Sequence, residues 1–129
     1  MFDEKKEKSF VNFMTNRFVV YFEDKSLEKL KIPIEWVVSF FDDNCGTITV
    51  RFRDTNKFYA PEFFSDKKGY TWHVVVKLLD EKGCEQASNE YSGVKLVRLT
   101  MPKLNYLEDG ENMTTGAVFT YNNAAYSLV

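Results

Sequence analysis

Residues 47–54 read Thr47-Ile-Thr-Val-Arg-Phe-Arg-Asp54, and this alternation decides the fold. Ile48, Val50 and Phe52 point one way, while Thr47, Thr49, Arg51 and Arg53 point the other. A period of two sustained over a whole strand buries one face and turns the other to solvent or a partner.

Extended segments of the same kind lie on both sides of this stretch. Upstream, residues 16–23 contain Arg17-Phe-Val-Val-Tyr-Phe, apolar on both faces as in a strand covered on two sides. Residues 24–31 are charged and read as a loop, and Pro33 opens a second extended piece over 34–41 with Trp36, Val37, Val38 and Phe40. Asp42-Asp-Asn-Cys-Gly46 is a turn in which Asn44 and Gly46 tolerate positive φ, so 34–41 and 47–54 form a hairpin. Downstream, Pro61 starts one or two helical turns in Ala60-Pro-Glu-Phe-Phe-Ser. A long strand follows over 70–80, then a turn at Asp80-Glu-Lys-Gly-Cys84, a polar strand over 86–92 closed by Gly93, an extended run over 94–106 and a last strand over 114–121. Seven strands with turn signals every 8–15 residues predict an all-β protein, with two packed antiparallel sheets in a β-sandwich or barrel and one short flanking helix.

A chain of 129 residues accommodates one ordinary domain, here 16–129, and its 44% hydrophobic content fills a core. Residues 1–15 are polar and then place Phe10, Val11, Phe13 and Met14 together, as either a short amphipathic helix or an arm. The formal net charge of -2 argues against dense phosphate neutralisation. No signal peptide and no membrane-spanning run is expected. Cys45 and Cys84 lack CxxC spacing and read as free thiols, with a disulfide left open.

The inventory holds no catalytic kit. His73 stands alone in a strand beside Trp72 and Val74, without a nucleophile elbow, HExxH or phosphate loop. Asp42 with Asp43, and Glu108 with Asp109 and Glu111, sit in turns and miss the calcium-loop pattern. Arg51 and Arg53 suit either phosphate, a neighbouring subunit's carboxylates or protection of a sheet from aggregation. No enzyme, no metal and no cofactor is therefore expected.

The order Asn16-Arg-Phe-Val-Val-Tyr-Phe, Ile32-Pro-Ile-Glu-Trp-Val-Val-Ser and Ile48-Thr-Val-Arg-Phe-Arg-Asp-Thr resembles the first half of tail tube proteins of contractile-tailed phages. Val74-Val-Val-Lys-Leu-Leu-Asp-Glu-Lys-Gly, Leu104-Asn-Tyr and Phe119-Thr-Tyr-Asn-Asn-Ala resemble the second half, so the likeness spans 16–126. The resemblance implies a structural virion protein that self-assembles into hexameric rings, stacked as a conduit for DNA, or for secreted cargo in the related type VI system. It implies sheath and baseplate proteins as partners, transient non-specific passage of DNA, and a place in the virion tail assembled in the host cytoplasm. By analogy, segments 34–41, 47–54, 86–92 and 94–106 would line the channel. Thr47, Thr49, Arg51, Arg53, Gln86, Ser88 and Glu90 then become candidates for lumen-facing or subunit-contact positions.

Two alternatives stand beside this reading. One is a baseplate tube initiator or type VI-like tube subunit. The other is a carbohydrate- or peptide-binding β-sandwich with Trp36, Tyr70 or Trp72 as its stacking platform.

Overall fold

The structure is a computed structural model that describes residues 11–13, 15–23, 29–32 (backbone only), 36–107, 110 and 112–129. Among these lie β1 (Phe18–Glu23), β2 (Lys29–Ile32), β3 (Val37–Asp42), β4 (Thr47–Arg53), α1 (Ala60–Ser65), β5 (Trp72–Leu79), β6 (Glu85–Thr100), β7 (Thr114–Thr120) and β8 (Asn123–Leu128). Every strand pairing is antiparallel. Sheet I runs in the order β2-β1-β5-β6-β8, and sheet II in the order β3-β4-β7-β6. The sheets are continuous through β6, whose first half pairs with β5 and β8 and whose last residues, from Lys95, pair with β7.

Gly93 lets one strand serve both sheets. It takes φ 65°, a left-handed value that glycine adopts without the penalty of a Cβ. The bend lies beside Asn122, at the junction of β7 and β8; a Cβ on Gly93 would stand 2.3 Å from the Asn122 side-chain nitrogen. The Asn122 N–H donates to the Ser92 carbonyl at 2.9 Å, so the two chain segments turn together.

The apolar faces close on an aromatic centre. Phe22 of β1 lies 5.7 Å from Trp72 of β5 within sheet I, and 6.4 Å and 5.6 Å from Phe52 and Phe119 of sheet II, centroid to centroid. Helix α1 caps one end: Phe64 is 6.2 Å from Phe22 and 5.7 Å from Phe52. Ile48, Val50 and Phe52 are fully buried, so the alternation in 47–54 faces the way the sequence implies. Burial of each such side chain stabilises the fold by about 1.5–3 kcal/mol.

The fold class is the expected one, with differences in individual strands. Gly93 does not end a strand, so 86–92 and the start of 94–106 form the single strand β6, which stops at Thr100 ahead of Pro102. Pro102 lacks the N–H a ladder needs. Lys29-Leu-Lys-Ile, which overlaps the end of the 24–31 stretch expected as loop, pairs with β1 as an edge strand, and lysine is a residue type that suits edges. Asn123–Leu128 adds a strand that its Ala and Ser content disguised. Residues 11–13 carry no regular secondary structure, and Val11 and Phe13 are exposed. The remainder of the N-terminal arm or helix, residues 1–10 and 14, lies outside the described residues.

Two substitutions test the facing of β4. Val50→Glu buries a carboxylate in the core and is expected to cost more than about 4 kcal/mol, whereas Thr49→Glu folds with near-native stability in urea titration. Gly93→Ala is expected to lower stability, and Asn122→Gly to restore only the steric part. The left-handed backbone keeps a cost of about 1–2 kcal/mol in the double variant, read from the same titrations.

Candidate functional site

The feature most open to a partner is the face of sheet II turned away from the core. Register places Ser39, Arg51, Gly116 and Thr100 in one rung across β3, β4, β7 and β6, and Phe41, Thr49, Val118 and Arg98 in the next. Thr47, Thr120 and Lys95 form a third row, and Arg53 lies opposite Thr114. Arg51 does not dangle. Its Nη1 donates to Thr114 Oγ1 at 3.0 Å, and its guanidinium lies over Gly116, where a Cβ would come within 3.5 Å of Nη2. Arg51, Arg53, Lys95 and Arg98 are all exposed, and among the described residues none of the four meets a carboxylate in an ion pair.

Both lateral margins of this sheet are free among the described strands: the outer edge of β3, and the edge of β6 beyond Val94 that faces away from β7. Each margin carries a bulge, at Val38 between Val37 and Ser39 and at Val97 between Leu96 and Arg98. Val38 is 43% and Val97 54% exposed. A bulge re-aims an edge and interrupts its ladder, a common way to keep an unpaired edge from associating at random.

A polar knot holds the β3 margin to sheet I. Asp42 Oδ2 accepts the Tyr91 hydroxyl at 3.1 Å and the Tyr126 hydroxyl at 2.5 Å. Its Oδ1 accepts the Tyr121 hydroxyl at 2.8 Å and the Asn44 N–H at 2.8 Å. Burial pushes the Asp42 carboxyl up, but the hydrogen bonds from Tyr126, Asn44, Tyr121 and Tyr91 together outweigh it and hold the group below the ordinary aspartate value. Burial, then the Asp42 charge, pushes the Tyr91 phenol above its usual range; for Tyr126 the hydrogen bond to Asp42 is the leading cause. The turn itself is as expected, with Asn44 at φ 61° and Gly46 at φ 102°, and the Asp43 carboxylate accepting the N–H groups of Cys45 and Thr47.

The seven residues singled out from sequence do not share one surface. Thr47, Thr49, Arg51 and Arg53 lie on the outward face of sheet II. Ser88 and Glu90 lie opposite Lys77 and Val75, on the outward face of sheet I. Gln86 donates from Nε2 to Asp80 Oδ2 at 3.1 Å beside the β5–β6 turn. Arg98 was missed because the bulge at Val97 moves it onto the face of Lys95, and Lys95 because nothing local shows that β6 crosses into sheet II. The Asp42 knot was missed because it joins residues from four separated segments; only the recurrence of Tyr after residue 90 hinted at it.

The stacking platform of the alternative reading is altered. Trp72 is buried at 1% exposure, and Trp36 stacks on Phe58 at 5.1 Å, which leaves Tyr70 exposed of the three. His73 is half-buried on the outward face of sheet I, opposite Glu23 in register. Cys45 and Cys84 are exposed free thiols at two hairpin turns. Among the described residues no group of three or more His, Cys, Asp or Glu is placed to hold a metal ion, and no helix is long and apolar enough to cross a membrane.

No protein-family model matches the sequence, and no curated protein matches it. Solved structures do match in fold. A chain of the anti-feeding prophage baseplate superposes with a TM-score of 0.69 at 14% identity, covering 93% of this chain and 96% of the other. A chain of the sheath–tube complex of an extracellular contractile injection system, PVC, gives 0.68 at 15% identity over 92% and 93%. Hcp1 from Salmonella typhimurium gives 0.53 at 6% identity over 84% of each chain. The chain therefore shares its fold with chains of contractile injection systems and with Hcp1, which accords with the resemblance seen in sequence.

The knot makes stability depend on acidity in a definite direction. A carboxyl held below its unfolded value near 3.8 stabilises the fold fully above that value, and the contribution is lost as pH falls through the lower folded value. Asp42→Asn is expected to flatten the decline of the urea midpoint between about pH 4 and pH 2 relative to the native chain. Tyr91→Phe is expected to cost about 1–2 kcal/mol at neutral pH in the same titration.

Proposed function

We propose that the chain is a structural subunit of a contractile tail or injection-system tube that self-assembles into stacked rings forming a conduit. The observation that carries this reading is the pair of free margins flanking sheet II, in a fold shared over nearly the whole length of tube-complex chains. The β3 margin of one copy set against the β6 margin of the next is a head-to-tail contact. Repeated, such a contact closes into a ring when its rotations complete a turn, and it leaves neither margin of sheet II unpaired. Strand addition of this kind supplies main-chain hydrogen bonds without requiring a specific side-chain pocket.

In this reading sheet II forms the inner wall. Its core face is covered by sheet I, so the face of Thr47, Thr49, Arg51 and Arg53 looks into the bore, while Ser88 and Glu90 of sheet I look outward. Hexameric symmetry, sheath and baseplate partners, passage of DNA or another cargo, and residence in an extracellular particle or virion tail assembled in the host cytoplasm complete the proposal. The baseplate and sheath–tube structures that share the fold support the tube role and the sheath and baseplate partners among these. The role is structural rather than enzymatic.

Size-exclusion chromatography and negative-stain microscopy of the purified chain test it. Rings or tubes are expected, and a strictly monomeric species at high concentration would overturn the reading. Val38→Asp and Val97→Asp place a charge at each bulged margin on side chains already exposed, so each variant is expected to keep its stability within about 0.5 kcal/mol yet fail to assemble. Tubes of normal yield from either variant would refute pairing through these margins.

A further inference from the structure

Among the described residues, the outward face of sheet II is cationic without counter-charge. It carries Arg51, Arg53, Lys95 and Arg98, while no outward position of β3, β4, β7 or residues 95–100 is Asp or Glu. This is not a reflection of a basic chain, since the net charge is -2. The opposite outward face, that of sheet I, is mixed in sign: Glu23, Glu85 and Glu90 share it with Lys77, which pairs with Glu85 at 3.8 Å, and with the positions of Lys31 and Lys29, opposite Tyr21 and Glu23 in register. An approaching anion is thus attracted by the outward face of sheet II, whose charges are of one sign, more than by the mixed face of sheet I.

From this charge pattern the geometry points to the sheet II face as a binding surface for an acidic polypeptide. In the tube proposed above, on which the location rests, that surface lines the bore and holds an acidic protein passenger. Arg51 is pinned by Thr114 over Gly116, so it loses less side-chain freedom on pairing than a free arginine would. The cations are interspersed with Phe41, Val97 and Val118, a mixture of Arg, aromatic and aliphatic groups that matches a protein surface. A nucleic-acid duplex would use only the charges, and a single strand would want a row of stacking rings where this face offers Phe41. Exposed pairs of this kind are screened over about 10 Å at 0.1 M salt, so the hold is reversible, as a conduit requires.

Fluorescence anisotropy of labelled poly-L-glutamate, measured with the unassembled chain and again with tubes, tests the inference. Binding is expected at low salt and should weaken as salt rises. The variant Arg51→Gln/Arg53→Gln/Lys95→Gln/Arg98→Gln, with its fold checked by circular dichroism, is expected to bind about tenfold less tightly, while Glu85→Gln/Glu90→Gln binds no worse than the native chain. Should the fourfold variant not fold, Arg53→Gln/Arg98→Gln is expected to lose about threefold. No binding by the native chain, undiminished binding by the folded variants, or displacement of the peptide by a DNA duplex at equal charge concentration would each overturn the proposal. Cryo-electron microscopy of loaded tubes is expected to show axial density, and probe confined to the exterior would refute the bore location. Failure to form tubes would sink the proposed function and leave the binding result standing by itself.

Discussion

β6 pairs in both sheets, and the other strands take their positions from that shared segment. Its first half is flanked by β5 and β8 and its last part by β7, so the two sheets cannot be arranged independently. The bend at Gly93 turns the apolar faces toward each other, and the aromatic side chains around Phe22 fill the space between them. Because the sheets are joined by main chain, the orientation of the cationic face relative to the core is set by covalent connectivity as well as packing. Loss of pairing along β6 would loosen both layers at once, which makes the domain one cooperative unit.

That connectivity also explains why the free margins are where they are. β6 leaves sheet I at Val94, the last position at which β5 accompanies it, and from there one of its edges has no neighbour among the described strands. The opposite margin, β3, ends at the Asp42 knot. Sheet II is therefore a four-stranded ribbon with a margin on each side unpaired among the described strands, a core-covered face behind it and a charged face in front. In the proposed tube, self-association and cargo contact fall to different parts of the same sheet, margins for one and face for the other.

Much of this was legible in residues 47–54, where strict alternation fixed which side chains are buried. The Asp42–Gly46 turn was equally legible, because Asn and Gly at those positions have few other reasons to occur together. Legibility failed where local signals and tertiary structure disagree. Gly93 looked like punctuation because glycine usually is, but its left-handed backbone bends a strand that continues. Asn123–Leu128 has a weak strand composition and is held by the neighbouring β6. The cationic face was half visible: Arg51 and Arg53 follow the alternation, whereas Arg98 follows a bulge that a period-two reading cannot anticipate and Lys95 joins them only because β6 crosses into sheet II.

The knot at Asp42 has a consequence for chemistry rather than stability. A carboxylate offers about four lone-pair directions, and here Tyr91, Tyr121, Tyr126 and the Asn44 N–H occupy as many. The charge remains but its capacity to accept is spent. Such a group has no lone pair left to ligate a cation or to draw a proton from a bound molecule, although it sits among groups with raised phenol values that would otherwise invite such a reading. Asp42 works as a saturated joint between two sheets, and its perturbed acidity records construction rather than reactivity.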